Sequence, residues 1–183
     1  MIRLLDDFNQ EITENIAYSK SSSQISGYKL RNSHYKLGNC LAKKIKKEWN
    51  KECYTVFCMM RSGLCFAFGI ADELERLASE VKIIFSSDDF SISNVDVKES
   101  IIIVDGVINS GKTILGIMAR LKNEQVLIAT NVISKKACDI LSEYEVYAVR
   151  VSDNYYVGTK EKIISMGKGP DTSERLFNSK FFE

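Results

Sequence analysis

Ser100-Ile101-Ile102-Ile103-Val104-Asp105-Gly106-Val107-Ile108-Asn109-Ser110-Gly111-Lys112-Thr113 governs how the whole 183-residue chain reads. β-Branched residues in succession, then an acid, a run of Gly, Asn and Ser, and the apolar-periodic Ile114-Leu115-Gly116-Ile117-Met118-Ala119-Arg120-Leu121 predict a buried strand to Val104, a tight loop and a helix from near Thr113. A small-residue loop feeding a helix start presents unpaired amides and the positive end of the helix dipole, the geometry of a phosphate cradle. The competing reading is a strand-turn-helix corner that binds nothing. Residues 106 to 113 match G-x-x-x-x-G-K-[ST], in which Lys112 serves outer phosphates and Thr113 a magnesium ion.

On either side the chain alternates strand and helix. Residues 1 to 18 suit a short helix or a strand, and Ser19 to Gly27 form a polar loop. Leu30, Leu37, Leu41, Ile45 and Trp49 recur at sevens and fours, predicting one amphipathic helix over residues 28 to 51. Its Lys43-Lys44-Ile45-Lys46-Lys47 cluster reads as a solvated face, and the single histidine, His34, as a surface residue. Residues 53 to 59, 81 to 85, 125 to 132 and 145 to 151 are apolar runs of strand length, with helical stretches at 64 to 78 and 135 to 143. That alternation predicts an α/β fold, a central and mostly parallel sheet flanked by helices, in a single domain over residues 1–183. There is no internal repeat.

Bulk properties exclude several classes. With 25 basic and 24 acidic side chains, nothing calls for nucleic acid or a membrane surface, and any anion site must be local. No apolar run is long enough to span a bilayer, and the start lacks a signal peptide's apolar core, so a cytoplasmic location is expected. Five cysteines without a C-x-x-C pair predict reduced, buried thiols and no protein metal site.

In such a sheet the ligand lies beyond the carboxyl ends of the strands, in the loops after Met59, Phe85, Val104 and Val151. The first of these carries Arg61-Ser62-Gly63, and an arginine among small residues suits a pyrophosphate because its fork offers several charge-assisted donors. Met60-Arg61-Ser62-Gly63-Leu64, the 104–113 loop and the tail from Ile164 to Phe177 together resemble the uracil phosphoribosyltransferases of the type I phosphoribosyltransferase family. There the order is R-[AS]-G-L, V-D-P-M-L-A-T-G-G-[ST] and I-V-P-G-L-G-D-A-G-D-R-x-F. Gly167, Gly169, Asp171, Arg175 and Phe177 fall into register when Pro170 is a one-residue insertion.

The resemblance implies a reaction and its residues. PRPP and uracil or a related base would give UMP and pyrophosphate, with Mg2+ accompanying PRPP, in a homodimer or higher homo-oligomer. Arg61 would hold the pyrophosphate of PRPP and Asp105 its ribose hydroxyls. Gly106, Val107, Ile108, Asn109, Ser110, Gly111, Lys112 and Thr113 would hold its 5-phosphate. Ile164, Met166, Gly167, Gly169, Asp171 and Thr172 would form the base site in a tail over residues 152–183. Asp171 would also lie near PRPP and, with Arg61 and Asp105, make the catalytic set. The chain departs from the pattern at Gly106 for Pro, Asn109-Ser110 for Ala-Thr, Lys112 for Gly and Met166 for Pro. Ser87 stands where a second PRPP-binding arginine belongs, and the long hairpin that follows in the family is absent. A PRPP- or nucleotide-binding sensor is therefore the second reading. A P-loop kinase or NTPase is the third, with Asp153 its only candidate for the second-strand acid.

Overall fold

The computed structural model describes residues 1–86, 100–121, 125–153, 155–156, 162–163 and 171–179. Expectations for Ser87, Ile164, Met166, Gly167 and Gly169 lie outside these residues. Six strands, β1 (Ile2–Leu4), β2 (Cys53–Met59), β3 (Glu80–Ser86), β4 (Ile101–Ile108), β5 (Val126–Ser134) and β6 (Val146–Ser152), form one sheet in the order β1-β6-β5-β4-β2-β3. Every pairing in it is parallel. Two short strands, β7 (Tyr155–Tyr156) and β8 (Lys162–Ile163), pair antiparallel apart from it.

Helices cover both faces, which is why the strands read as almost unbroken apolar runs. Ile102 and Val104 of β4 turn toward α1 (Gln10–Ser19), α2 (Gly27–Glu48) and α3 (Leu64–Arg76), joining a core with Leu37, Leu41, Ile45, Phe66, Ile70 and Leu74. Ile101 and Ile103 turn the other way, onto Ile114 and Ile117 of α4 (Lys112–Met118), Ala137 of α5 (Lys135–Ile140) and Leu141. The alternation is the period of two that a strand imposes.

The N-terminal segment forms both of the elements its pattern allowed. β1 pairs with β6, and Asn9 caps α1 by accepting from the Ile12 amide at 2.8 Å. Three lysines of α2 are ion-paired, Lys36 with Glu11 at 2.6 Å, Lys43 with Glu73 at 3.7 Å, and Lys44 with Asp6 at 2.6 Å and Glu48 at 2.9 Å, while Lys46 donates to the Lys51 carbonyl and to Ser79 Oγ. All five cysteines are free, but only Cys58 is buried and Cys53 is exposed.

Two expectations change. The central strand does not stop at Val104: Asp105 pairs with Thr130, Val107 with Val132 and Ile108 with Ile133, so β4 runs to Ile108 and the true loop is only Asn109 to Gly111. β-Branched Val107 and Ile108 have partners on β5, and that pairing overrides the turn-forming look of Gly106. His34 is not a surface residue but fully buried, its Nε2 3.4 Å from Asn131 Nδ2 on β5. Burial, with Arg175 and Arg150 nearby, pushes its imidazole down to about 3.

α2 and α3 meet backbone to backbone. A Cβ on Gly69 would stand 2.1 Å from the Tyr35 carbonyl oxygen, and one on Gly38 2.4 Å from that of Phe66. Gly69→Ala must push the helices apart; overpacking of this kind costs roughly 1–3 kcal/mol, so the urea midpoint should fall with no change in slope. His34 sets a pH dependence. The unfolded chain protonates it below about pH 6.5 while the folded chain holds it neutral down to about 3. Stability is thus full above that unfolded value and falls with pH through the window between, by up to about 1.4 kcal/mol per unit. Chemical denaturation at pH 7 and pH 5 should show this loss in the wild type and a smaller one in His34→Gln.

Candidate active site

Strand order reverses between β2 and β4: from β2 the chain steps outward to β3, then crosses back to β4 and proceeds through β5 to β6. Ligands of open parallel sheets collect at such a switch point. Here the exits of β2 and β4 are pressed together. A Cβ on Gly106 would lie 2.2 Å from the Ser62 carbonyl oxygen, and one on Gly63 2.6 Å from that of Met59 and 2.7 Å from that of Val104. Glycine is needed at both for the approach itself, whatever its torsion angles. The peptide joining Met60 to Arg61 is cis.

This approach joins two predicted site residues. Ser62 donates from its hydroxyl to Asp105 Oδ1 at 2.6 Å, and the Val107 amide donates to the same oxygen at 3.3 Å. A short bond to a carboxylate is among the stronger neutral-to-charged contacts, and two donors on one oxygen fix the rotamer. Asp105 is half-buried, and Arg61 is exposed one residue before Ser62.

The loop beyond β4 is held from both ends. Ser134, at the end of β5, donates to the Asn109 carbonyl while its hydroxyl accepts from the Ala137 amide at 3.0 Å, capping α5. Ser110 Oγ accepts from the Lys112 amide at 3.4 Å. Gly111 takes φ +71°, a left-handed turn that disfavours a side chain, before Lys112 and Thr113 open α4 as exposed residues. Ile108 is 2% exposed, its side chain part of the core; only its backbone is near the turn.

The tail meets the body elsewhere. Asp171 caps α6 (Thr172–Phe177), its carboxylate accepting from the Ser173 amide at 3.0 Å, with Thr172 half-buried beside it. α6 packs on α2: Arg31 Nη1 donates to the Leu176 carbonyl at 2.8 Å. Arg175, 6% exposed, donates to the carbonyls of Ile25 and Lys20 and to Ser23 Oγ. The structure thus brings Arg61, Ser62, Asp105 and the 106–113 turn into one place and puts Asp171 and Thr172 on a second element.

Sequence reasoning passed over a polar group at the carboxyl ends of β5 and β6, made of His34, Asn131 and Arg150. Its signal was Asn131 and Arg150 interrupting otherwise apolar strands. Burial, with Arg175 close by, lowers the Arg150 guanidinium to about 10. Cys58, buried beside the site, is pushed up to about 12 and so is no nucleophile at neutral pH. Among the described residues no group of three His, Cys, Asp or Glu is placed to hold a metal.

Comparison with known proteins bears on this site. Residues 29–163 match the family model described as the phosphoribosyl transferase domain. No curated protein matches the chain in sequence. Among solved structures, the AQ2163 protein from Aquifex aeolicus is similar over 100% of both chains at 16% identity, with a TM-score of 0.72. TT1426 from Thermus thermophilus is 14% identical with a TM-score of 0.51, over 68% of this chain and 86% of that one. Hypoxanthine-guanine phosphoribosyltransferase from Schistosoma mansoni, in complex with IMP, is 16% identical with a TM-score of 0.52, over 68% of each chain. At these identities the structures speak for the fold, whereas the family model spans most of the sequence and includes both loops at the switch point. The chain therefore belongs to the phosphoribosyl transferase domain family, and it is a phosphoribosyltransferase, an enzyme of the glycosyltransferase class.

Proposed function

We infer that the protein transfers the phosphoribosyl group of PRPP to a pyrimidine-type base of the uracil kind, giving a nucleoside 5'-monophosphate such as UMP and pyrophosphate. The observation that carries this reading is the bond from Ser62 to Asp105, which ties the loop after β2 to the acid on β4. In the step, a ring nitrogen of the base bonds to the anomeric carbon as the bond from that carbon to the pyrophosphate oxygen breaks. The electron pair leaves with pyrophosphate, and the proton carried by the ring nitrogen is released to solvent.

A displacement of this kind needs positioning and charge stabilisation, not a covalent intermediate. Asp105 would accept from the ribose hydroxyls while Ser62 and the Val107 amide hold it in place. Backbone amides of the turn from Asn109 to Thr113 would hold the 5-phosphate, with Lys112 adding charge. Arg61 would grip the leaving pyrophosphate. Asp171 and Thr172 would meet the base, together with Ile164, Met166, Gly167 and Gly169.

Magnesium fits this donor set. It is bound through one or two carboxylates plus substrate phosphates rather than by an all-protein cage, and Asp105 is the carboxylate at hand. When bound with PRPP it would neutralise the leaving group. The P-loop reading fares worse, because its acid, Asp153, is paired with Lys135 at 2.6 Å on the surface. Self-association into a homodimer belongs to the same proposal.

PRPP with magnesium should raise the melting temperature by mass action. Ser62→Ala should weaken PRPP about 10- to 100-fold, the loss of a hydrogen bond to a charged group. Asp105→Asn should do at least as much, and the double variant should be no worse than Asp105→Asn alone. Stabilisation by ATP only, surviving in Asp105→Asn but lost in Lys112→Ala, would transfer the site to the P-loop class.

The tail is tested by turnover, read as uracil-dependent pyrophosphate release. Asp171→Ala should reduce it strongly and Met166→Ala mildly. Asp171→Ser preserves the helix cap and should also be impaired; full activity in it would show that residue 171 serves only the fold.

A further inference from the structure

Ser134 closes β5 at the height of the turn that follows β4. Ile133, one residue earlier, pairs with Ile108, the last residue of β4, so Ser134 stands beside Asn109, where the turn begins. Ser134 is 3% exposed, and its hydroxyl makes two hydrogen bonds: it donates to the Asn109 carbonyl and accepts from the Ala137 amide at 3.0 Å. The second bond caps α5. An N-cap needs only an acceptor, and Asn or Asp serves there as well as Ser. The bond to Asn109 needs a donor as well, and a hydroxyl is both at once.

A carbonyl held on one side of a peptide fixes the amide on the other. Asn109 and Ser110 are joined by a trans peptide, in which the C=O and the next N–H point in opposite directions. The Asn109 carbonyl is turned toward the end of β5, so the Ser110 amide is turned away from it. β4 has β5 on one side and β2 on the other. The Ser110 amide therefore faces the flank that carries the Arg61 loop. Among the described residues this amide donates to no backbone carbonyl, and Ser110 Oγ is engaged with the Lys112 amide.

The turn has a second support of a different kind. Gly111 packs over the end of α5, where a Cβ would stand 3.4 Å from Leu141 Cγ and 3.6 Å from Ile140 Cγ2. This apolar contact sets how far the turn stands from α5. It does not set which way a peptide faces, because dispersion contacts lack the angular preference of a hydrogen bond. Of the two supports, Ser134 alone controls orientation.

We propose that Ser134 is a positioning residue for phosphoribosyl transfer: through the Asn109 carbonyl it aims the Ser110 amide at the 5-phosphate of PRPP. This rests on the reading that the turn after β4 holds that phosphate, and it assigns the turn's geometry to a buried residue of the neighbouring strand.

The test separates the two bonds of the hydroxyl in the full chain. Ser134→Ala removes the donor and leaves a poor cap, Ser134→Gly removes the donor and leaves a cap nearly as good as serine, and Ser134→Thr keeps both functions. Dissociation constants are measured by calorimetry, with magnesium, for ribose 5-phosphate, PRPP and pyrophosphate. Ribose 5-phosphate and PRPP should bind about 10-fold more weakly to both Ser134→Ala and Ser134→Gly, the cost of losing a hydrogen bond to a charged group. Pyrophosphate, which would lie at the Arg61 end, should bind unchanged, and Ser134→Thr should retain most of the affinity for all three. A structural role alone would make the loss follow the melting temperature and spare neither half of the substrate. Wild-type affinity for ribose 5-phosphate in Ser134→Gly overturns the proposal and leaves Ser134 a helix cap, and so does a loss shared equally by pyrophosphate. Ser134→Gly keeps the test decisive even where Ser134→Ala folds poorly. A wild type that binds neither ribose 5-phosphate nor PRPP would instead defeat the underlying reading, and the two failures are separately visible.

Discussion

Two glycines allow the central contact of this protein. Gly63 and Gly106 let the exits of β2 and β4 meet backbone to backbone, with Cβ positions 2.2 to 2.7 Å from the facing carbonyl oxygens. Only then can Ser62 reach Asp105 at 2.6 Å. A methyl group at either position would part the loops by more than the hydrogen bond tolerates. The arginine of one loop and the carboxylate of the other are thereby held in a constant relation by short, buried backbone rather than by long flexible side chains, which is the condition for preorganised electrostatics.

The same sheet carries polar residues at its carboxyl ends where packing alone would prefer apolar ones. Thr130 and Asn131 are buried on β5, and Arg150 is half-buried on β6. Below them Ile102, Ile103, Leu127, Ile128, Val146 and Tyr147 make an ordinary apolar core. The lower sheet supplies cohesion and the upper rim spends part of it on groups that cost stability when unpartnered. Such departures from local consistency are where functional sites are expected.

A six-residue helix is too short to persist by itself. α6 stays because Arg175 reaches across some 150 residues of sequence to the Ile25 carbonyl at 2.8 Å and the Lys20 carbonyl at 3.0 Å. The polar loop between α1 and α2 is in turn organised by that arginine. The N-terminal segment and the tail support each other, and both rest on α2.

The sequence by itself determined the parallel α/β class, the apolar strand that carries Asp105, the loop at Arg61 and the small-residue turn, because apolar period and turn chemistry are local properties. It marked the family through the order of its motifs along the chain. The tertiary structure decided where β4 ends, because pairing with β5 is a long-range contact that no window of residues contains. It placed His34 in the interior, where a neighbouring strand supplied Asn131. It also gave Ser62 a role that its small polar side chain does not announce. Arg150 was legible only as an oddity in an apolar strand; its meaning depends on Arg175 and His34, which reach it from opposite ends of the chain.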